Sequence, residues 1–310
     1  MNRGKTRTKT TTRETFRHTA EYIAVIIFYG LLRLLPRGWR LRLATLFGHI
    51  SYLVTPRRVK IARENLRTSF PQLRESERNR IVKRVYRNLA CNAVEEIDLA
   101  GAARTIAVDG ETELRLADLQ RRCEQGEPLI FVTGHYGNWE VLAQFLAARF
   151  GRLSVLAKEQ SNPYIDGMVN RLRSATGGSV ILTHAAARAV PKVIRSGGIL
   201  MLAGDQDAGS EGVMIDFLGR PAAYFRGWAL FSYRYNVPVV IIFLRRESEG
   251  FALEIADIVE PQVSAEKDAE IRRLLYAYSD LLATAVTAYP EQWLWTHRRW
   301  KSGVASPSHN

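Results

Sequence analysis

Apolar and polar residues alternate along this chain in two rhythms. Short apolar runs bounded by glycine or proline are interleaved with longer stretches whose apolar residues recur every three to four positions. The clearest run is Leu129 to Thr133, between Pro128 and Gly134, which predicts a strand buried on both faces. Val141, Leu142, Phe145 and Leu146 follow at helical spacing. After them the spacing predicts a strand over Arg152–Lys158 and a helix over NPYIDGMVNRLRSATGG ending at Gly177 and Gly178. A strand over Ser179–Thr183, a helix from Ala185 to Ile194 and a strand at GILMLA come next. That last strand runs out into a polar, glycine-rich loop. WALFSYRYN reads as a helix, and VPVVIIFLRRE with FALEIADIV as a hairpin turning at Gly250. A long helix, Glu266 to Ala288, precedes YPEQWLWTHRRWK. This order predicts an α/β fold, a mostly parallel sheet flanked by helices with an antiparallel edge.

The N-terminal half reads differently. Residues 1–20 are basic, threonine-rich and aperiodic, the pattern of a disordered cationic tail. Tyr22 to Leu35 is strongly apolar but carries Arg33 and is shorter than the roughly 20 residues that span a bilayer. With the apolar segment after Trp39 it predicts a membrane-associating helical segment over 21–55, lying in the lipid interface; a buried helix pair is the alternative. Residues 57–98 are helical and basic, with acids among the arginines, which suits a solvated face near a membrane better than a nucleic-acid site. Thr105–Leu119 reads as a small strand and helix. Residues 56–305 read as the domain that carries the candidate chemistry described below, and 306–310 as a tail.

Composition narrows the class. A 310-residue chain with 46% hydrophobic and 24% charged residues is neither polytopic nor disordered. The net charge of +13 points to anionic partners. Cys91 and Cys123 form no ligand set and read as small hydrophobes.

The candidate chemistry lies in GHYGNWE, between the Leu129 strand and its helix. Gly134 and Gly137 permit a tight turn, Asn138 suits an N-cap, and Glu140 would lie in the first helical turn. If His135 lies on the turn, Glu140 can orient it as a general base. No serine or cysteine nucleophile is adjacent, which suits activation of a substrate hydroxyl. Asp205, Gln206 and Asp207 end the later strand in a glycine loop. Two acids can hold a divalent cation, but without a histidine or third acid nearby a pocket-shaping role, or pairing with Arg171, is the better reading. Trp293, Trp295, Arg298, Arg299 and Trp300 mix aromatics with cations, as at a membrane interface, a nucleic-acid platform or a structural closing strand.

GHYGNWE, NPYIDGMVNRLRS, GDQDAGSEGVMIDFLGRPAA and PEQWLWTHRRWK together resemble, in order and spacing, the late acyltransferases of lipid A biosynthesis. These belong to the glycerolipid-type acyltransferases marked by a His-x4-Asp/Glu motif. The likeness covers about residues 20–301. It implies a glycerolipid acyltransferase-like fold and transfer of an acyl chain from acyl carrier protein, or acyl-CoA, to a hydroxyl of a membrane-embedded glycolipid. The membrane implied is the bacterial inner membrane, at its cytoplasmic face. Catalytic roles fall on His135 and Glu140, and substrate-binding roles on Gly137, Asn138, Arg171, Arg173, Asp205, Gln206 and Asp207, with Arg171 at the position of the family's functional arginine. No metal, cofactor or nucleic acid is implied. After RPAA the family usually continues with a threonine-rich segment, where this chain has Tyr224, Phe225 and Arg226. That difference leaves other acceptors open: a lysophospholipid, a phosphatidylinositol mannoside or another lipid. A non-catalytic membrane binder and a hydrolase are the remaining readings.

Overall fold

The computed structural model describes residues 12–174 and 177–303. Its centre is a seven-stranded sheet in the order β1-β9-β8-β2-β5-β3-β4. The strands are β1 (Ile106–Ala107), β2 (Leu129–Thr133), β3 (Leu153–Ala157), β4 (Ser179–Leu182), β5 (Ile199–Ala203), β8 (Val239–Glu247) and β9 (Gly250–Val259). All neighbours pair in parallel except β8 and β9, so β9 and β1 run against the other five. A separate antiparallel ribbon pairs β6 (Val213–Phe217) with β7 (Arg220–Tyr224).

Central strand β2 explains its own apolar run. Ile130 and Val132 pack into one core, and Leu129 and Phe131 into the core on the opposite face. A strand covered on both sides needs apolar residues at successive positions. The second face is covered by α5 (Leu99–Ala103), α6 (Gly110–Glu124) and α7 (Trp139–Phe150), which supply Leu99, Leu116, Leu119, Val141, Leu142 and Leu146. The first is covered by α3 (Pro56–Ser69), α4 (Glu75–Glu95), α9 (Ala186–Arg195), α10 (Gly227–Tyr235) and α11 (Lys267–Ala288). Helix α8 (Pro163–Ser174) links β3 to β4.

At the N-terminus, α1 (Thr12–Arg33) and α2 (Arg37–Val54) form a helical hairpin. Helix α1 begins inside the stretch expected to be a tail; residues 1–11 of that stretch, and the 306–310 tail, lie outside the described residues. The hairpin is docked on one side only. Gly48 of α2 meets the backbone of α4, where a Cβ would come within 2.8 Å of Tyr86 O. Tyr29 donates to Ala93 O at 3.0 Å, and Asn162 at the start of α8 donates to His18 O and Glu21, each at 2.9 Å. The other side carries Ile23, Ile27, Leu31, Leu34, Trp39, Leu46, Ile50, Leu53 and Val54, all exposed. No helix among the described residues is long and apolar enough to cross a membrane.

The segment 290–303 is not an interfacial strip. Trp293, Trp295, Arg299 and Trp300 are buried, and only Arg298 of the aromatic–cation group is exposed. The three indoles pack on one another and on Phe217 and Phe70. Asparagines hold this segment in place: Asn65 donates to Trp295 O and His297 O, and Asn88 to Glu291 O, all at 2.9 Å.

Candidate active site

The site follows from strand register. Strands β2 and β5 are parallel neighbours, with Thr133 opposite Ala203. Each is followed by a glycine and then by a polar residue, so His135 and Asp205 leave the carboxyl ends of adjacent strands at matching positions. In open α/β sheets this is where ligands bind. Gly204 N donates to Thr133 O at 2.9 Å, extending the ladder to the residue before Asp205. Gly134 sits in a tight fit, where a Cβ would lie 2.9 Å from Leu282 Cδ1 and 3.3 Å from Asp205 Oδ2. At Gly137 the backbone takes φ +56° and passes so close to β8 that a Cβ would overlap Leu244 O.

His135 therefore pairs with Asp205, not with Glu140. Its Nδ1 lies 2.7 Å from Asp205 Oδ1, and its backbone N–H donates to Asp205 Oδ2 at 2.8 Å. Trp293 Nε1 donates to the same Oδ2 at 2.8 Å. The carboxylate is buried, which by itself opposes ionisation. The His135 charge and the three hydrogen bonds outweigh that and hold its pKa at about 2. An ionised Asp205 places the proton of neutral His135 on Nδ1 and leaves Nε2 as the unprotonated, basic nitrogen. Burial works against the imidazolium of His135, but the Asp205 charge and hydrogen bond prevail, and its pKa is raised above 6.5. Trp139 packs edge-on against the imidazole at 4.8 Å.

Glu140 has a different partner. Arg173 grips it with two bonds, Nε to Oε2 at 2.9 Å and Nη2 to Oε1 at 2.5 Å. Glu140 thus ties α7 to α8 and holds a guanidinium whose charge is felt at the histidine and opposes its protonation. Glu96 lies against this pair. Burial, and then the Glu140 charge, push its pKa up to about 7, and Tyr29 donates to it at 3.3 Å. Arg171 is exposed and does not meet Asp205; of the two candidate arginines it is Arg173 that reaches the site.

Gly137 and Asn138 serve the framework. Asn138 Oδ1 accepts from Glu140 N and Val141 N, each at 3.2 Å, so it caps α7 as its position in the sequence predicts. Its amide donates to buried Glu95 at 2.9 Å, and Glu95 is held by Arg246 at 2.8 and 2.5 Å. Asn92 donates to Gly137 O at 2.6 Å. Gln206 Nε2 lies 3.2 Å from His135 Nε2. Asp207 accepts from Ser302 Oγ at 2.8 Å, and its N–H donates to His297 Nε2 at 3.1 Å. Arg299 donates to Gln206 O at 3.3 Å and to Ala223 O at 2.6 Å.

A profile of the bacterial lipid A biosynthesis acyltransferase family matches residues 9–302. The chain belongs to this family. It is a lipid A-type acyltransferase, and its partners are an acyl donor and a lipid acceptor. Among its relatives is the lipid A biosynthesis lauroyltransferase of Escherichia coli K12, 23% identical over 271 residues, 84% of this chain and 85% of the relative. The palmitoleoyltransferase of the same strain is 23% identical over 274 residues, 84% of each chain, as is a lipid A biosynthesis acyltransferase of Shigella flexneri. The family match extends over the whole site, from Glu95 to Arg299.

The sequence reading of this acyltransferase missed Asp205 as the partner of His135, and also missed Glu95, Arg246, Asn92 and the bond from Trp293 to Asp205. One signal pointed to the dyad: LIFVTGH and ILMLAGD are both apolar strands ending in glycine and a polar residue.

Proposed function

We propose that the protein transfers a fatty acyl chain from a thioester of acyl carrier protein, or of CoA, to a hydroxyl of a lipid A precursor at the cytoplasmic face of the bacterial inner membrane. One observation carries this reading: a His135–Asp205 pair whose Nε2 faces the site with no serine or cysteine hydrogen-bonded to it among the described residues. Such a base has no protein nucleophile to activate and suits a substrate hydroxyl. The acceptor oxygen attacks the thioester carbonyl carbon while its proton moves to Nε2. The tetrahedral species then breaks its C–S bond, and His135 returns the proton to the departing thiolate. The guanidinium of Arg173, fixed by Glu140, favours the negative charge that develops. The residues of the site call for no metal or cofactor.

The exposed apolar side of α1 and α2 supports a membrane-bound acceptor. Leu31, Leu34 and Trp39 are 61%, 80% and 57% exposed, and Arg42 stacks on Trp39 at 5.1 Å, which suits a helix hairpin lying in the headgroup region. A net charge of +13 favours both anionic lipid and an acidic carrier protein. The test is acyl transfer by the purified protein in detergent or vesicles, with wild type beside His135→Ala. A product one acyl chain heavier that requires His135 supports the reading. Transfer to another lipid, but not to lipid A precursors, would keep the chemistry and replace the acceptor. No transfer to any offered lipid would refute the reading.

A further inference from the structure

The base of this site is already occupied by the protein's own side chain. With Asp205 holding the Nδ1 proton, Nε2 of His135 is an acceptor, and the carboxamide nitrogen of Gln206 at 3.2 Å is its donor. We propose that the Gln206 carboxamide holds the place of the acceptor hydroxyl in the resting site, withholds His135 from water, and so favours acyl transfer over thioester hydrolysis. This rests on the acyltransferase reading above.

The surroundings give Gln206 this role and little freedom for any other. Its backbone is fixed: the carbonyl accepts from Arg299, Asp205 before it is bonded to His135 and Trp293, and the N–H of Asp207 after it is bonded to His297. The side chain is half-buried and can turn about its own torsions without moving the loop. A donor on Nε2 lies where the attacking O–H must lie, because both need the same lone pair. Water binding there in place of Gln206 would attack the thioester carbonyl carbon and pass its proton to Nε2. The C–S bond would break to give a free fatty acid and a protonated thiol. An acceptor held by the rest of its lipid can displace the amide, whereas a water molecule brings only its own hydrogen bonds.

The displaced amide has a second use. Four backbone donors of the turn are taken: His135 N by Asp205, Gly137 N by Gln292 O, and Glu140 N and Val141 N by Asn138. The carboxamide of Gln206, turned away from Nε2, adds an N–H for the carbonyl oxygen as it becomes an oxyanion.

Gln206→Met keeps the volume and removes the donor; Gln206→Ala removes both. Lauroyl-CoA is supplied with and without lipid A precursor, and free acid and acylated lipid are measured. In parallel, carbethoxylation of His135 by diethyl pyrocarbonate is followed by peptide mass spectrometry with no substrate present. Loss of one hydrogen bond predicts a rise of about tenfold in the hydrolysis-to-transfer ratio and in the His135 modification rate, in both variants. If Met behaves as wild type and only Ala changes, space filling is the gate and the proposal is overturned. It is also overturned if hydrolysis and transfer fall together while modification stays constant. The modification rate decides the Gln206 contact even where wild type transfers nothing, a result that would instead remove the acyltransferase reading.

Discussion

Replacing Asp205 by asparagine separates the two candidate partners of His135. The carboxylate has two oxygens and three donors: Oδ1 takes the imidazole Nδ1–H, and Oδ2 takes the backbone N–H of His135 and the indole N–H of Trp293. Asparagine has one oxygen. Placing its NH2 against the two fixed donors would leave both unsatisfied at a buried site, at a cost of about 1–3 kcal/mol for each. The side chain instead turns its oxygen toward them and its NH2 toward Nδ1. That orientation forces the histidine proton onto Nε2, and the base is lost with the backbone unmoved. The same inversion in a serine-protease triad lowers kcat about ten-thousand-fold, equivalent to roughly 5.5 kcal/mol of barrier. Glu140→Gln keeps an oxygen for Arg173 and weakens a charge-assisted pair, predicting a loss of about tenfold to a hundredfold. The assay is single-turnover acyl transfer with long-range 1H–15N correlation of the imidazole to identify its tautomer. If Asp205→Asn stays within tenfold of wild type while Glu140→Gln loses a thousandfold or more, the Asp205 dyad is refuted and Glu140 is the orienting acid.

Four further outcomes follow from the structure. Because the neutral form of His135 is required and its pKa is raised above 6.5, kcat/KM falls as pH drops through that raised value, and in Asp205→Asn any residual acid limb shifts lower. Asp205 itself, with its pKa depressed from 3.8 to about 2, contributes stability that is complete above the unfolded value and lost as pH falls toward 2; acid-unfolding curves of Asp205→Asn should lack that component. Gly137→Ala, strained at φ +56° and driven into Leu244 O, should lose at least about 3 kcal/mol in urea unfolding. A Leu31→Glu/Leu34→Glu pair should abolish flotation with anionic vesicles while leaving the thermal midpoint within about 2 °C, since both side chains are exposed; vesicle binding equal to wild type would dissociate the hairpin from the membrane.

The parts of the fold that were legible in the sequence are those set by nearby residues. Burial on both faces writes strand β2 as five successive apolar or small residues, and Asn138 declares the start of α7 by its place before Glu140. The β6–β7 ribbon was hidden because its turn places Leu218 at φ +53° ahead of Gly219 at +74°, and leucine is not a residue that signals such a turn. Asp216 compensates by accepting from Gly219 N at 3.0 Å. The partner of His135 was misread for a related reason. Glu140 is five residues from His135 and Asp205 is 70, so a local motif offered the nearer acid while sheet order supplied the other. Nothing local reports that β5 lies next to β2. The tryptophans left readings open: indoles beside arginines suit an interface as well as a structural closing segment, and contacts with Phe70 and Phe217 decide for the second.

The anchoring of Asp205 by Trp293, and of Gln206 by Arg299, has a consequence for the protein's biosynthesis. The histidine is made early and its acid partner later, but the groups that hold the acid in place come after nearly every strand and helix of the fold. A nascent chain that has laid down the sheet still has an unanchored dyad until residue 299 is free to fold back. Ribosome-bound intermediates and products truncated before Trp293 therefore lack the indole donor to the Asp205 carboxylate, and the fully bonded His135–Asp205 pair exists only on chains whose folding is finished.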